Sequence, residues 1–208
     1  MKTMMDAKMK GMVMAAMSAL CLILGIMGAM GNTWLVPDSD EDMDGMEAGA
    51  GLTSQWVEMD AETAEMCDMM IEMMEDEGDA ECDGSMLTMT ISFSDLCDEG
   101  DDESCDMATG GMIGTIGMWA GVVCALLITL TMVLPMAGVD AMDAVPEMAT
   151  KVATWGAGAL MLVGMLGWYF MLPDGGEMSL GMSGWMAGAA MSMGLGSALI
   201  GQFIEADE

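Results

Sequence analysis

Charge segregation constrains this chain more than any other feature. Of its 34 acidic residues, 25 lie between positions 34 and 106, a stretch without Lys or Arg. Residues 11–31, 107–139, 152–173 and 178–204 carry no charged side chain at all. A helix of ~20 residues, rising ~1.5 Å per residue, crosses the hydrocarbon core of a bilayer. The four runs predict transmembrane helices near 11–32, 110–135, 152–172 and 181–204. A hydrophobic content of 54% and a formal charge of −30 coexist because they occupy different parts of the chain.

The expected fold class is all-α membrane. It is an antiparallel bundle of four transmembrane helices, with a small mixed α/β, disulfide-tied extracellular domain between helices 1 and 2. Residues 1–33 form the N-terminal tail and helix 1, and 34–106 the acidic domain. Residues 107–139 form helix 2, 140–151 a cytoplasmic loop and 152–173 helix 3. Residues 174–180 form a short extracellular loop, and 181–208 helix 4 with the C-terminal tail. The first run has an alternative reading. Lys2, Lys8 and Lys10 precede it, and Ala29-Met30-Gly31 resembles a cleavage site, as in a signal peptide. Its length exceeds the ~7–15 residues of a signal h-region, which favours a retained helix.

Basic residues set the orientation. The only ones are Lys2, Lys8, Lys10 and Lys151. Cytoplasmic loops are enriched in Lys and Arg, so the N-terminus and residues 140–151 are assigned to the cytoplasm. Four spans then put the C-terminus there too and residues 34–106 outside, in a multi-pass protein of the cell membrane. The cysteines agree with this. Cys67, Cys82, Cys97 and Cys105 cluster where disulfides persist, while Cys21 and Cys124 lie singly in apolar runs.

Within the acidic stretch, residues 38–51 have loop composition. Residues 58–77 are predicted helical, with Asp60 as cap and Met59, Met66, Met70, Met73 and Met74 on one face. Gly78 stands where a helix-terminating glycine would. Residues 86–93 alternate and predict a strand, paired with 34–36 or 52–57. In the apolar runs, Gly110-x-x-x-Gly114, Gly117-x-x-x-Gly121 and Gly184-x-x-x-Gly188 place small residues one turn apart. That spacing lets helix backbones approach closely in lipid.

Several chemistries are disfavoured. The chain has no His, so it lacks the usual imidazole base and metal ligand. No ionisable carboxylate or amine falls within the apolar runs, which argues against intramembrane proteolysis and proton relays. The chain is therefore read as a non-enzyme without a nucleic-acid partner. Its partners are expected to be the lipid bilayer and other membrane proteins, including copies of itself. The four clustered cysteines permit three pairings, and proximity favours Cys67–Cys82 with Cys97–Cys105. Asp40-x-Asp42-x-Asp44-Gly45 opens like a calcium loop, but Gly51 stands where a closing Glu is needed. Asp79-x-Glu81-x-Asp83-Gly84 is a second partial match. Calcium is thus the candidate cofactor; the alternative is an acidic surface suited to high salt. Methionine pairs such as Met66/Met69, Met70/Met73 and Met161/Met165 could hold Cu(I). With 34 Met in the chain, they read first as flexible packing material.

The layout resembles the claudin and peripheral-myelin-protein group. In that group a Trp follows the first helix, then comes Gly-Leu-Trp, then a disulfide-bonded Cys pair. Here Trp34 matches the first element. Gly51, Leu52 and Trp56 match the second, interrupted by Thr53-Ser54-Gln55, and Cys67 and Cys82 match the pair. The resemblance implies a helix bundle topped by a small disulfide-tied sheet. It also implies a structural role in lateral assembly, membrane contact or as an accessory subunit. The rival expectation is a membrane-tethered module that binds or senses a divalent cation.

Overall fold

The computed structural model describes residues 5–37, 46–74, 78–136, 138, 146–173, 178–204 and 206–207. Their order begins with β1 (Met5–Asp6), α1 (Ala7–Met30), β2 (Leu35–Pro37), β3 (Met46–Ala50) and β4 (Ser54–Asp60). There follow α2 (Ala64–Met74), β5 (Asp79–Asp83), β6 (Met86–Ser92), α3 (Phe93–Asp98) and α4 (Asp102–Met136). The chain ends with α5 (Glu147–Tyr169), β7 (Met178–Leu180), α6 (Met182–Phe203) and β8 (Ala206–Asp207). It divides into two compact units. One, the helical unit, comprises Met1–Met30, Gly114–Leu166 and Trp185–Glu208. The other, the sheet unit, comprises Gly31–Ile113 and Gly167–Gly184.

This architecture corrects the expected all-α, four-transmembrane-helix bundle. The fold is mixed α/β, with a six-stranded antiparallel sheet in the order β5-β6-β4-β3-β2-β7. Among the described residues, three helices are long and apolar enough to cross a membrane: Lys8–Met30, Asp102–Pro135 and Met148–Tyr169. The fourth, α6, is 22 residues long but is not among them. Its Gly184, Gly188, Gly194, Gly196 and Gly201 add little apolar surface. Ser183, Ser192, Ser197 and Gln202 are polar. Counting charges alone missed this dilution.

The helical unit is held by close backbone approach. A Cβ at Gly117 would lie 2.5 Å from Gly164 Cα, so α4 and α5 meet glycine to glycine. A Cβ at Gly158 would lie 2.5 Å from Leu195 N, and one at Gly194 2.8 Å from Gly158 N, which joins α5 to α6. A Cβ at Gly28 would meet Ala187 N at 3.0 Å, which joins α1 to α6. Met161, fully buried, fills the room left by Gly121 and Gly25. Buried Ser18 and Ser197 lie 3.3 Å apart, oxygen to oxygen, and Ser18 Oγ donates to Met14 O at 2.8 Å. Lys10 Nζ donates to the carbonyls of Gly201, in the last turn of α6, and Ile204, just after it.

The sheet unit departs locally from expectation in two places. The helix expected over 58–77 is shortened, because Glu58, Met59 and Asp60 continue β4. Thr63, not Asp60, accepts from the Met66 N–H at the start of α2 (3.2 Å). Asp60 instead accepts from Glu62 N–H in the turn before it. Residues 46–50, expected as loop, are β3. The strand expected over 86–93 is β6, Met86–Ser92, and it pairs with β4 in register Ser54↔Ser92 to Asp60↔Met86.

Candidate functional site

The sheet has two chemically opposite faces, and strand register shows how. Directly paired residues of an antiparallel ladder share a face, and alternate residues along a strand take opposite faces. One row runs Glu47↔Glu58, Glu58↔Thr88 and Thr88↔Glu81 across β3, β4, β6 and β5. The next carries Asp60↔Met86 and Met86↔Asp83. On the other side, Gly49↔Trp56 and Trp56↔Thr90 lead to Asp79. Six strand carboxylates thus share one face: Glu47, Glu58, Asp60, Asp79, Glu81 and Asp83. All are exposed except Glu58, which is half-buried.

The opposite face is apolar. Its rows are Met46–Met59–Leu87–Cys82, then Ala48–Val57–Met89–Ala80, then Leu180–Leu35–Ala50–Gln55–Ile91. Helix α2 covers one end of this face. Ala61, Cys67 and Leu87 form a small core there, with Met59, Met70, Ile71, Ala80 and Cys82 packed around it. Cys67 is bonded to Cys82 across this core, with Cα atoms 6.1 Å apart. Cys97 at the end of α3 is bonded to Cys105 in the first turn of α4, with Cα atoms 4.5 Å apart. A cross-link adds stability where a buried cluster is this small.

The family-motif residues gather at one corner of the sheet. Trp34 is fully buried, with its ring 5.0 Å from that of Trp168 in an edge-on arrangement. Its N–H donates to Ala50 O, and its carbonyl accepts from Gly181 N–H, both at 2.8 Å. It thereby stitches the sheet together beside β2. Trp56 Nε1 donates to Asn32 O at 3.0 Å, and its ring covers Gly49 so closely that a Cβ there would lie 2.7 Å from it. Gly51 N–H donates to Ser54 O, closing the turn between β3 and β4. Leu52 is buried, and its carbonyl sits against Gly111, where a Cβ would collide with it.

The packing glycines divide between roles. Gly117 and Gly121 lie at helix contacts, and Gly114 is buried with its carbonyl near Gly164. Gly110 makes room for Met171, and Gly184 for Leu180 and the Trp34 carbonyl. Gly188 meets only Met165 Cε, at 3.9 Å. Gly28 and Gly111 were overlooked. Neither belongs to a Gly-x-x-x-Gly pair that would mark it.

The calcium reading loses its footing where it can be examined. Asp40, Asp42 and Asp44 lie outside the described residues. Asp79, Glu81 and Asp83 are strand residues, spaced roughly 6.6 Å apart along one face. An extended strand cannot wrap three carboxylates around one ion. Among the described residues, no group of three or more His, Cys, Asp or Glu is placed to hold a metal. Of the methionines read as copper ligands, Met66 and Met69 are exposed on α2, while Met161 is packed against Gly25 and Gly121.

Fold and site together define a class: a mixed α/β protein with three membrane-span-like helices and a disulfide-tied sheet that is acidic on one face and apolar on the other. No protein-family model and no curated protein matches the chain.

Proposed function

We propose that this chain is a non-enzymatic integral membrane protein of claudin-like design, whose acidic module docks a positively charged partner protein. The observation that carries this reading is the direct pairing of Glu47 with Glu58 in a row that continues to Glu81. Like charges directly opposite each other destabilise a sheet by a few tenths to about 1 kcal/mol. A cationic partner would relieve that repulsion, and its own charges would be steered to this face. The gathering of Trp34, Gly51 and Trp56 around Asn32 and Ala50 supports the family resemblance at the motif that suggested it.

In this reading the acidic module is extracellular, where its two disulfides persist. The N-terminal lysines are cytoplasmic. Two copies facing each other across a gap would repel through their acidic faces. Side-by-side assembly with a basic membrane protein avoids this.

The test is chemical cross-linking of the full-length protein in its native membrane, at low and high salt. The expected result is a heterologous adduct that weakens as salt rises and is lost in Glu47→Lys/Glu58→Lys. A protein that stays uncross-linked at every ionic strength, or an adduct indifferent to the double substitution, contradicts the proposal.

A further inference from the structure

The apolar face of the sheet is roofed over only part of its width. Helix α2 lies on the β4–β6–β5 end, around Leu87 and Cys82. Over the β3–β2–β7 end there is instead a cavity of ≈ 590 Å³, floored by Leu35, Ala48, Val57 and Leu180. Its walls are the segment Trp168–Phe170 after the core of α5, Leu172 and Pro173 beyond it, and Met107 of α4. Its depth comes from β3, where Ala48 and Ala50 present only methyl groups to this face. The volume falls within the ~300–1,000 Å³ usual for small-molecule sites.

The lining identifies the occupant's chemistry. In the most acidic part of a chain of net charge −30, no charged side chain is among the described residues that line this cavity. Gln55 and the indole and phenol groups supply its side-chain polarity; the rest is aliphatic, aromatic or backbone. Such a surface selects a neutral, apolar guest. A second copy of the chain fits poorly, because it would carry its own acidic face towards this one.

Connection to the bilayer narrows the choice further. Tyr169 is the last residue of the span-like segment Met148–Tyr169, and it lines the cavity. Met107, on the other wall, belongs to the span-like segment Asp102–Pro135. Tyr169 and Phe170 are 62% and 77% exposed, as aromatic side chains are where a span leaves the hydrocarbon. Two segments long and apolar enough to meet lipid also wall the cavity, which would give an acyl chain a path along apolar surface. We propose that this cavity holds one fatty acyl chain of a bilayer phospholipid, drawn against the uncovered half of the sheet. The inference does not depend on the acidic face having a partner.

The full-length protein would be reconstituted into phosphatidylcholine vesicles containing a phosphatidylcholine with a photoactivatable diazirine in one acyl chain. After irradiation and cleavage at acidic residues, adducts are mapped by mass spectrometry. The expected map shows adducts within 46–57 and 169–180, besides those on α1, α4 and α5. Ala48→Trp, which fills the cavity from its floor, should lower the sheet adducts about tenfold and leave the helix adducts unchanged. Met66→Trp, on the exposed side of α2, should change neither. Wild-type adducts confined to the helices overturn the proposal, whether or not Ala48→Trp folds. So does a chain-to-chain cross-link at 46–57 in place of lipid.

Discussion

In the helical unit, backbones touch: Gly117 lies against Gly164, and Gly158 against Gly194. In the sheet unit, backbones are held by ladder hydrogen bonds, and side chains at one end of the apolar face pack against the short helix α2. The same small residues serve both ends of this contrast. Between helices, a missing Cβ lets dispersion and serine hydrogen bonds act at short range, which lipid cannot rival. In β3, a missing side chain makes Gly49 a seat for the Trp56 ring on one face, and the small Ala48 and Ala50 leave a cavity on the other. Composition shared by two regions therefore does not imply shared mechanics. One region is stabilised by fit, the other by pairing and cross-links.

The largest expected effect breaks the fit. Gly117→Leu should cost about 3 kcal/mol or more, since overpacking a close contact costs ~1–3 kcal/mol and here the neighbour is backbone. Thermal unfolding in detergent measures it. Gly188→Leu, facing only a methionine terminus, should stay within about 0.5 kcal/mol. Equal losses at the two sites would remove the distinction between contact and non-contact glycines.

Cross-links come next. Replacing Cys67 and Cys82 by Ser should destabilise the sheet unit by about 3 kcal/mol, from a loop with a sequence separation of 15. The Cys97/Cys105 pair, with a separation of 8, should cost slightly less, about 2.5 kcal/mol. Denaturant titration followed by tryptophan fluorescence reads both. The helical unit should keep its transition in each variant; its loss would show that the two regions are not stabilised separately.

The smallest effect has the sharpest sign. Glu47→Lys converts a like-charge cross-strand pair into an opposite one and should raise stability by roughly 0.2–1 kcal/mol. The gain should shrink in high salt, because these side chains are largely solvent-screened. A loss of stability would mean that the acidic face is already neutralised by something bound to it.

Much of the helical unit was readable from absence of charge, because lipid-sized helices need uninterrupted apolar sequence. The sheet was less readable, although its signal was present. Gln55-Trp56-Val57-Glu58-Met59-Asp60 alternates, with Val57 and Met59 facing one way and Glu58 and Asp60 the other. Residues 52–57 were legible as a strand partner of 86–93, but Asp60, with Glu62 and Glu65 behind it, imitates a helix start and cuts the strand short at 58. Asp79-Ala80-Glu81-Cys82-Asp83 alternates as cleanly, but its acids imitate a calcium loop. In so acidic a stretch, charge spacing is a poor guide and period two a better one. Trp34 was legible as a motif residue but not as a buried one, since its partners Trp168 and Gly181 lie far along the chain. The union of β2 with β7 could not be foreseen for the same reason: three-residue strands carry almost no periodicity.

Sidedness is the most direct test of the whole account. Thr88 lies on the acidic face between Glu58 and Glu81, so Thr88→Cys places a thiol there. Intact cells would be treated with a membrane-impermeant maleimide, with Cys21 and Cys124, free in the helices, as the background. The account predicts labelling of Thr88→Cys without permeabilisation, on a protein that remains in the membrane fraction after alkaline washing. Labelling only after the membrane is opened, or recovery of the protein in the soluble fraction, would contradict it.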